Sequence, residues 1–188
     1  EAAAANTGTF LALYGMEWGV SSTGNGHVVV YGFNQLIGWE TSVPNLTGPN
    51  YDIFNAKTDY AGLWTIVKNN PNAFSYLAHP SYSDFNGLAS AYNSTCDSAI
   101  VGVPFRNGNA LTPTADYTTY PTSDFFGYYR ILLNRGYHVG MTYDHDNHYL
   151  NFGRGNAGRL VIITSTLTQS NLFDAMKKMH FYGSDDWN

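Results

Sequence analysis

The chain has 188 residues, of which 44% are hydrophobic and 16% aromatic, which is enough for one domain with a sizeable core. Its formal net charge of -5 excludes the broad basic surface that binds a nucleic-acid backbone, so no nucleic acid is expected as a bulk ligand. No apolar run approaches the ~20 residues that a membrane span needs, so no membrane partner is expected. Only 12% of the residues are charged, which favours an extracellular or periplasmic protein.

The first predicted elements are two neighbouring strands. Residues 10–18 and 27–33 are apolar, and a Ser/Thr/Gly-rich stretch separates them, which predicts a pair of strands joined by a loop. After an irregular stretch rich in Pro, Asn and Gly, residues 59–69 place apolar side chains at helical spacing. Thr58 or Asp59 is positioned to cap this helix at its N-terminus.

The central part of the chain continues the alternation of strands and helices. Residues 73–78 predict a short strand that ends at His79, residues 84–92 a short helix, and residues 98–103 a further strand. The only cysteine, Cys96, precedes that strand and is predicted to be a small buried side chain. A single cysteine also excludes an intrachain disulfide and a cysteine-based zinc site.

The last third of the chain follows a long loop. Residues 123–134 predict an amphipathic helix with Gly136 as its C-terminal stop, and residues 137–142 predict a strand. Residues 159–164 predict another strand, and residues 168–179 a final helix. Alternation of this kind predicts an α/β fold with a largely parallel sheet.

A cluster of metal-capable side chains follows the strand at 137–142. The sequence there reads Tyr-Asp-His-Asp-Asn-His over residues 143–148. Asp146 and His148 are two positions apart, so on a strand they share one face and can bind one ion or two neighbouring ions. By the same alternation His145 faces away from both, as a supporting contact or a contact to substrate.

Three further residues of metal-binding type lie at the edges of apolar segments. Glu17 follows Gly-Met, His27 opens Val-Val-Val, and His79 closes Leu-Ala. An unpaired carboxylate is costly between Met and Trp, so Glu17 is predicted to bind a metal or a buried cationic partner. Together with the later Asp-x-His pair, these strand ends predict one polar pocket at the mouth of a sheet or barrel.

The order of these four motifs resembles that of the PHP superfamily, the polymerase and histidinol phosphatase metalloesterases, and in particular its secreted or periplasmic bacterial members. The resemblance covers nearly the whole chain. It implies a distorted (β/α)7 TIM-like barrel with two or three divalent ions, commonly zinc, manganese or iron, at the C-terminal ends of its strands. Members carry further metal ligands on two earlier strands. Residues 1–188 are therefore interpreted as a single PHP-like catalytic domain truncated at its N-terminus, with the missing part as a partner. The metal cluster of this chain would then be incomplete, and the chain alone is expected to bind metal poorly and to be inactive.

The resemblance also implies a role for each motif residue. Glu17 would bridge two ions, His27 and His79 would complete one of those sites, Asp146 would serve the other bridged ion, and His148 a third. Glu17 and Asp146 would thereby be the catalytic carboxylates in the hydrolysis of a small-molecule phosphate ester, by a phosphatase or a phosphodiesterase.

A contact to the substrate phosphate is also open to prediction. Arg154 follows the Asp/His cluster in a loop rich in Gly and Asn, and its guanidinium suits a phosphate. Ordinary pairing at the surface is the alternative for this side chain.

Two other classes of function remain open. An extracellular glycan-binding or interaction module fits the aromatic, charge-poor composition, and it predicts that the five metal-capable residues do not converge. Its stacking platforms would be the four tryptophans, Trp18, Trp39, Trp64 and Trp187. A barrel glycoside hydrolase would pair Glu17 with Asp144 or Asp146 at a separation of about 5 to 10 Å.

Overall fold

The computed structural model describes residues 7–40 and 48–186. The strands in this part are β1 (Gly15–Gly19), β2 (His27–Tyr31), β3 (Ile37–Gly38), β4 (Ile53–Phe54), β5 (Phe74–Ala78), β6 (Ile100–Asn107), β7 (Gly140–Asp144), β8 (Arg159–Ile162) and β9 (Phe181–Ser184). The helices are α1 (Tyr60–Asn69), α2 (Asp84–Gly87), α3 (Ser94–Asp97), α4 (Phe126–Arg135) and α5 (Gln169–Lys177), with a 3-10 turn at Leu88–Ser90. The α/β class is thus confirmed.

The central sheet has five strands in the order β1-β2-β5-β6-β7. It is mixed rather than largely parallel, because β2 runs antiparallel to both of its neighbours while β5, β6 and β7 run parallel. The short segment between β1 and β2 accounts for the difference, since a parallel pair needs a crossover of about a dozen residues or more. Because β2 is reversed, its first residue lies at the same end of the sheet as the last residues of β1, β5, β6 and β7.

The two faces of this sheet are covered by different elements. Helices α1 and α4 pack on one face, where Trp18, Val28 and Leu77 belong to the main core. Helix α5 and the antiparallel strand pair β8–β9, which flanks it in the chain, pack on the other face, around Phe74 and Phe181. Over the described residues the sheet is open, so the closed barrel expected from the motifs is not observed there.

The predicted helix ends are largely confirmed. Asp59 caps α1 by accepting a hydrogen bond from the Gly62 amide at 2.9 Å. Gly136, at φ 99°, ends α4 in the left-handed conformation that glycine adopts without a steric penalty. The helix predicted at 84–92 is only a turn followed by a 3-10 turn, because Phe85 and Asn86 have left-handed backbone angles that interrupt it.

Strand β9, which pairs with β8, was not predicted from the sequence pattern. Phe181 of β9 lies directly over the sheet: a Cβ added at Gly140 would stand 2.7 Å from its ring. Glycine at that position therefore lets β9 approach β7 closely. Cys96 is buried, as predicted. No helix in the described ranges is long and apolar enough to cross a membrane.

Candidate metal centre

Three side chains from three strands converge at one edge of the sheet. Glu17 lies in β1, His27 begins β2, and His79 follows the last residue of β5. The strand register places Glu17 opposite Val29, and His27 opposite Ala78. Because side chains alternate along a strand, Val29 shares a face with His27, so the Glu17 and His27 side chains project from the same side of the sheet.

The ligand atoms of these residues form a small triangle. Glu17 Oε1 lies 2.9 Å from His27 Nδ1 and 3.4 Å from His79 Nε2, and the two nitrogens are 3.4 Å apart. Ligands at about 2.0 to 2.1 Å from a tetrahedral ion stand about 3.3 to 3.4 Å from one another. Two edges of the triangle match one face of a tetrahedral site, the Glu17–His27 edge of 2.9 Å is shorter, and the three residues form a group that could hold a metal ion.

The orientations of both imidazoles have local causes. The outer nitrogen of His27, Nε2, lies 3.3 Å from the Ser21 hydroxyl, which is the kind of second contact that fixes a ligating histidine. His79 adopts φ 26°, in the left-handed region that residues other than glycine rarely enter. Strict alternation after Ala78 would turn this ring toward the other face of the sheet, where Trp18, Val28 and Leu77 form the main core. The strained backbone instead directs it to Glu17, and such strain concentrates at functional sites.

The electrostatics of the triangle favour an ionised carboxylate. Hydrogen bonds from the His27 and His79 imidazoles lower the pKa of Glu17 to about 2, against the effect of its partial burial. The same hydrogen bond to Glu17 raises the pKa of His79 above its usual value. A metal ion would have to displace the imidazole protons that hydrogen-bond Glu17, and the carboxylate with two neutral imidazoles is then a donor set that suits zinc, manganese or iron.

Asp146 lies next to the triangle, and His148 lies at its rim. Asp146 Oδ2 is 3.9 Å from His79 Nε2 and accepts a hydrogen bond from the Asn107 amide at 3.2 Å. The His148 side chain is 54% exposed, and its Nδ1 lies 2.8 Å from the Asp146 carbonyl oxygen. The structure thus brings Asp146 to the centre but holds the His148 ring in a backbone contact.

The two predicted substrate contacts differ in position. His145 lines the cavity beside the centre, and its Nε2 lies 2.8 Å from the Gly158 carbonyl oxygen. Burial lowers the pKa of His145 below its usual value, which favours a neutral ring. Arg154 is exposed and is not among the residues that line the cavity. Its guanidinium donates to the Leu150 carbonyl at 3.3 Å.

Sequence reasoning missed several residues of the cavity lining, among them Asn107 and Tyr76, and gave Asp144 no metal-binding role. Asn107, the last residue of β6, was predicted to lie in a loop, although a polar residue at a strand end was the available signal. Tyr76 of β5 also lines the cavity. Burial raises the pKa of Asp144 to about 7, and the Tyr76 hydroxyl opposes this effect. Asp144 Oδ2 is shielded from solvent and accepts no hydrogen bond from the described residues.

Two of the four candidate stacking platforms are unavailable to a ligand. Trp18 and Trp64 are each 1% exposed, in the core under α1. Trp39 packs edge-on against Trp18 at 5.5 Å between ring centroids. Trp187 lies outside the described residues.

Comparisons of the chain with protein-family models, with curated proteins and with solved structures found no match. The relation to the PHP superfamily therefore stays a prediction that depends on the four motifs.

Proposed function

We propose that the protein is a metal-dependent hydrolase of small phosphate esters, a PHP-type phosphatase or phosphodiesterase. The observation that carries the proposal is the triangle of Glu17, His27 and His79, whose three ligand atoms are spaced, on two of their three edges, as on one face of a tetrahedral metal site. Such a site with three protein ligands and an open position is typical of catalytic zinc rather than structural zinc.

In this proposal the residues around the cavity bind different metal ions. Glu17, His27 and His79 hold one ion, Asp146 serves a second, and His148 completes a third after its ring leaves the backbone contact. A bound ion of zinc, manganese or iron supplies Lewis acidity toward a phosphoryl oxygen and lowers the pKa of a water ligand. Asn107 orients Asp146 through its amide.

His145 and Arg154 are the residues that would contact the substrate. His145 lines the cavity as a neutral ring whose Nε2–H donates to the Gly158 carbonyl, so its Nδ1 is left to accept a hydrogen bond from substrate. Arg154 would contact the phosphate only by leaving its bond to the Leu150 carbonyl. An extracellular or periplasmic location belongs to the same proposal and is supported by the charge-poor composition.

The fold supports the proposal without establishing the barrel. In (β/α) barrels the active site lies at the C-terminal ends of parallel strands. Here β1, β5, β6 and β7 share one direction, and their C-terminal ends border the cavity. We therefore propose that this open sheet is the ligand-bearing portion of a PHP-type barrel.

The experiment is a metal-dependent assay with a matched control. The protein is stripped with a chelator, reloaded with zinc, manganese or iron, and tested on p-nitrophenyl phosphate and bis(p-nitrophenyl) phosphate. We expect turnover that requires metal, falls by at least about 100-fold in Glu17→Gln, and persists in His138→Ala, whose histidine lies outside the cavity lining. Absence of metal-dependent turnover both in this chain and in a longer protein that restores the earlier ligand-bearing strands would exclude the proposal.

A second candidate has one observation in its favour. Glu17 and Asp144 line the same cavity with pKa values of about 2 and about 7. Carboxyl groups with pKa values pushed apart in this way serve as base and acid in glycoside hydrolases. That reaction needs no metal, so hydrolysis of p-nitrophenyl glycosides that survives chelation and is lost in Asp144→Asn would favour it over the phosphoesterase.

A further inference from the structure

The cavity beside the metal centre has a polar end and an apolar wall. Its volume is about 370 Å³. The polar end carries the metal-capable residues, and the wall is formed by Val29, Tyr31, Leu160 and Phe152. We propose that this wall binds the organic group of the substrate, which is an uncharged aromatic or apolar alcohol carrying a single phosphoryl group. This inference rests on the proposed phosphoesterase function and names its substrate class.

The wall is a direct continuation of the metal-bearing face of β2. His27, Val29 and Tyr31 alternate along this strand, so all three project from one side of the sheet. Two residues of a strand span about 6.6 to 6.8 Å. A group attached to a phosphoryl at the His27 end therefore lies over Val29 and then over Tyr31.

The aromatic part of the wall is held in place before any ligand binds. The Tyr31 ring stacks on the Phe74 ring at 5.4 Å with an interplanar angle of 28°. It also lies 6.2 Å from the Tyr76 ring. Neighbours on this face fix the orientation of Tyr31, so little side-chain entropy is lost when a flat group packs against it.

The apolar wall also includes one exposed aromatic ring, that of Phe152. Phe152 lines the cavity yet is 70% exposed. An aromatic ligand between Phe152 and the sheet would remove apolar surface of both partners from water, which is the dominant favourable contribution to such binding. A sugar or polyol would leave its hydroxyl groups against this apolar surface without partners.

The charges of the cavity restrict the substrate further. No Lys or Arg is among the residues that line it within the described ranges. Arg106, at the end of the neighbouring strand β6, is engaged by Asp185 at 2.6 Å. Glu17, Asp144 and Asp146 are the carboxyl groups of the lining. A second anionic group on the substrate would therefore meet acidic side chains and no lining cation, which disfavours bisphosphates and nucleoside polyphosphates.

The size of the cavity agrees with one ring system and one phosphoryl group. Small-molecule sites occupy about 300 to 1,000 Å³, and this one lies near the lower end of that range. A dinucleotide or an oligosaccharide would extend far beyond its walls.

Phosphonates test the inference through binding, independently of turnover. Affinities of the zinc-loaded protein for benzylphosphonate, methylphosphonate and 4-carboxybenzylphosphonate are measured by calorimetry. We expect benzylphosphonate to bind at least about 10-fold tighter than methylphosphonate, because burial of an apolar ring contributes that much or more. The carboxylate on the third compound should remove most of this preference.

Two variants and a control locate the effect. Phe152→Ala and Leu160→Ala should each lower the ratio of benzyl to methyl affinity by about 3-fold or more, and neither should change methylphosphonate binding. Phe54→Ala removes an aromatic ring that is 57% exposed and outside the cavity lining, so it should leave the ratio unchanged. Phe152→Ala is the safer variant for folding, because its ring is mostly exposed.

The outcomes separate this inference from the proposed function. Equal affinity for the benzyl and methyl compounds, or a preference unaffected by both wall variants, overturns the inference even when phosphate esters are hydrolysed. A clear benzyl preference without turnover of any phosphate ester, also when the earlier ligand-bearing strands are restored, supports the apolar wall and excludes the hydrolase. Failure of every phosphonate to bind the zinc-loaded protein contradicts both.

Discussion

Two histidine–carboxylate groups in this protein have similar composition and different construction. At the sheet edge, the carboxylate oxygen Glu17 Oε1 meets two imidazoles, those of His27 and His79. At the other end of the sheet, where β6 and β7 begin, Asp97 at the end of α3 meets one imidazole, that of His138, at 3.0 Å. Sequence composition alone does not distinguish the two groups.

The Asp97 group has the geometry of a structural contact. Its Oδ1 accepts the His138 backbone N–H at 2.6 Å, and its Oδ2 lies 2.9 Å from the Tyr92 hydroxyl. The carboxylate is 11% exposed, whereas the His138 side chain is 78% exposed. These bonds therefore attach the segment just before β7 to the end of α3. One accessible imidazole nitrogen beside a carboxylate already bonded to N–H and O–H donors is a poor metal site.

The Glu17 group differs because its donors converge on a point. Two ring nitrogens and one carboxylate oxygen stand within 3.4 Å of one another at the edge of a cavity. Convergence of several ligand atoms on one point, rather than the presence of a His–carboxylate pair, distinguishes a candidate metal centre from a structural contact.

The largest expected effect is on metal affinity. His79→Ala or Glu17→Gln should weaken zinc binding by more than about 100-fold, since loss of even an outer partner of a ligand costs about 10- to 100-fold. His138→Ala and Asp97→Asn are the matched controls and should leave zinc binding unchanged. Titration calorimetry on chelator-stripped protein measures all four. Equal losses in the two groups would show that the comparison is mistaken.

The second effect is on stability, and it reverses the order of the two groups. Asp97→Asn should lower the free energy of unfolding by about 1.5 to 3 kcal/mol, because it weakens hydrogen bonds to a partly buried charged group. In metal-free protein Glu17→Gln should cost less, since the Glu17 side chain is 40% exposed to solvent. Urea unfolding with and without a chelator gives both values. A larger loss for Glu17→Gln in the metal-free state would contradict the structural assignment of Asp97.

A third and smaller effect concerns the residue that supports Asp146. Asn107→Ala removes the amide that donates to Asp146 Oδ2 at 3.2 Å. We expect a fall of about 10-fold in the affinity of whichever ion Asp146 serves, with binding at the Glu17 group retained. Metal content after dialysis at graded zinc concentrations resolves the two steps. Loss of both steps together would place Asn107 within a single shared site.

The smallest expected effect appears at acidic pH. Burial raises the pKa of Asp97, but the backbone N–H and imidazole of His138 outweigh it and hold that pKa below its usual value. A folded-state pKa that is lowered gives stability that is present above the unfolded pKa of about 3.8 and is lost as pH falls through the folded pKa. The stability difference between the parent and Asp97→Asn should therefore shrink below about pH 4. A difference that grows on acidification would oppose this sign.

Much of the fold could be predicted from local sequence. Apolar runs and capping residues such as Asp59 and Gly136 determine where strands and helices begin and end, because these signals act over a few residues. The reversal of β2 follows from the short segment after β1, a signal that was present but not used, whereas the position of β2 between β1 and β5 depends on pairing with a strand far along the chain. Strand β9 was missed for a related reason: its Phe181 is placed by two glycines of other strands.

The site was predictable only in its strand-borne part. Glu17 and His27 lie on strands, where alternation applies, and they converge as the motifs indicated. The Asp-x-His pair does not obey that alternation, because β7 ends at Asp144 and Asp146 has φ 52°. The left-handed backbone of Asp146 itself, beyond the end of the strand, removes the shared face that the spacing implied. His148 consequently lies at the rim.

The central claim is that Glu17, His27 and His79 bind one ion. Anomalous diffraction at the zinc absorption edge from crystals of the zinc-loaded protein tests it most directly. The account predicts a peak about 2.0 to 2.2 Å from Glu17 Oε1, His27 Nδ1 and His79 Nε2. A peak beside Asp97 and His138, or no peak among the three ligand atoms at full zinc loading, would contradict it.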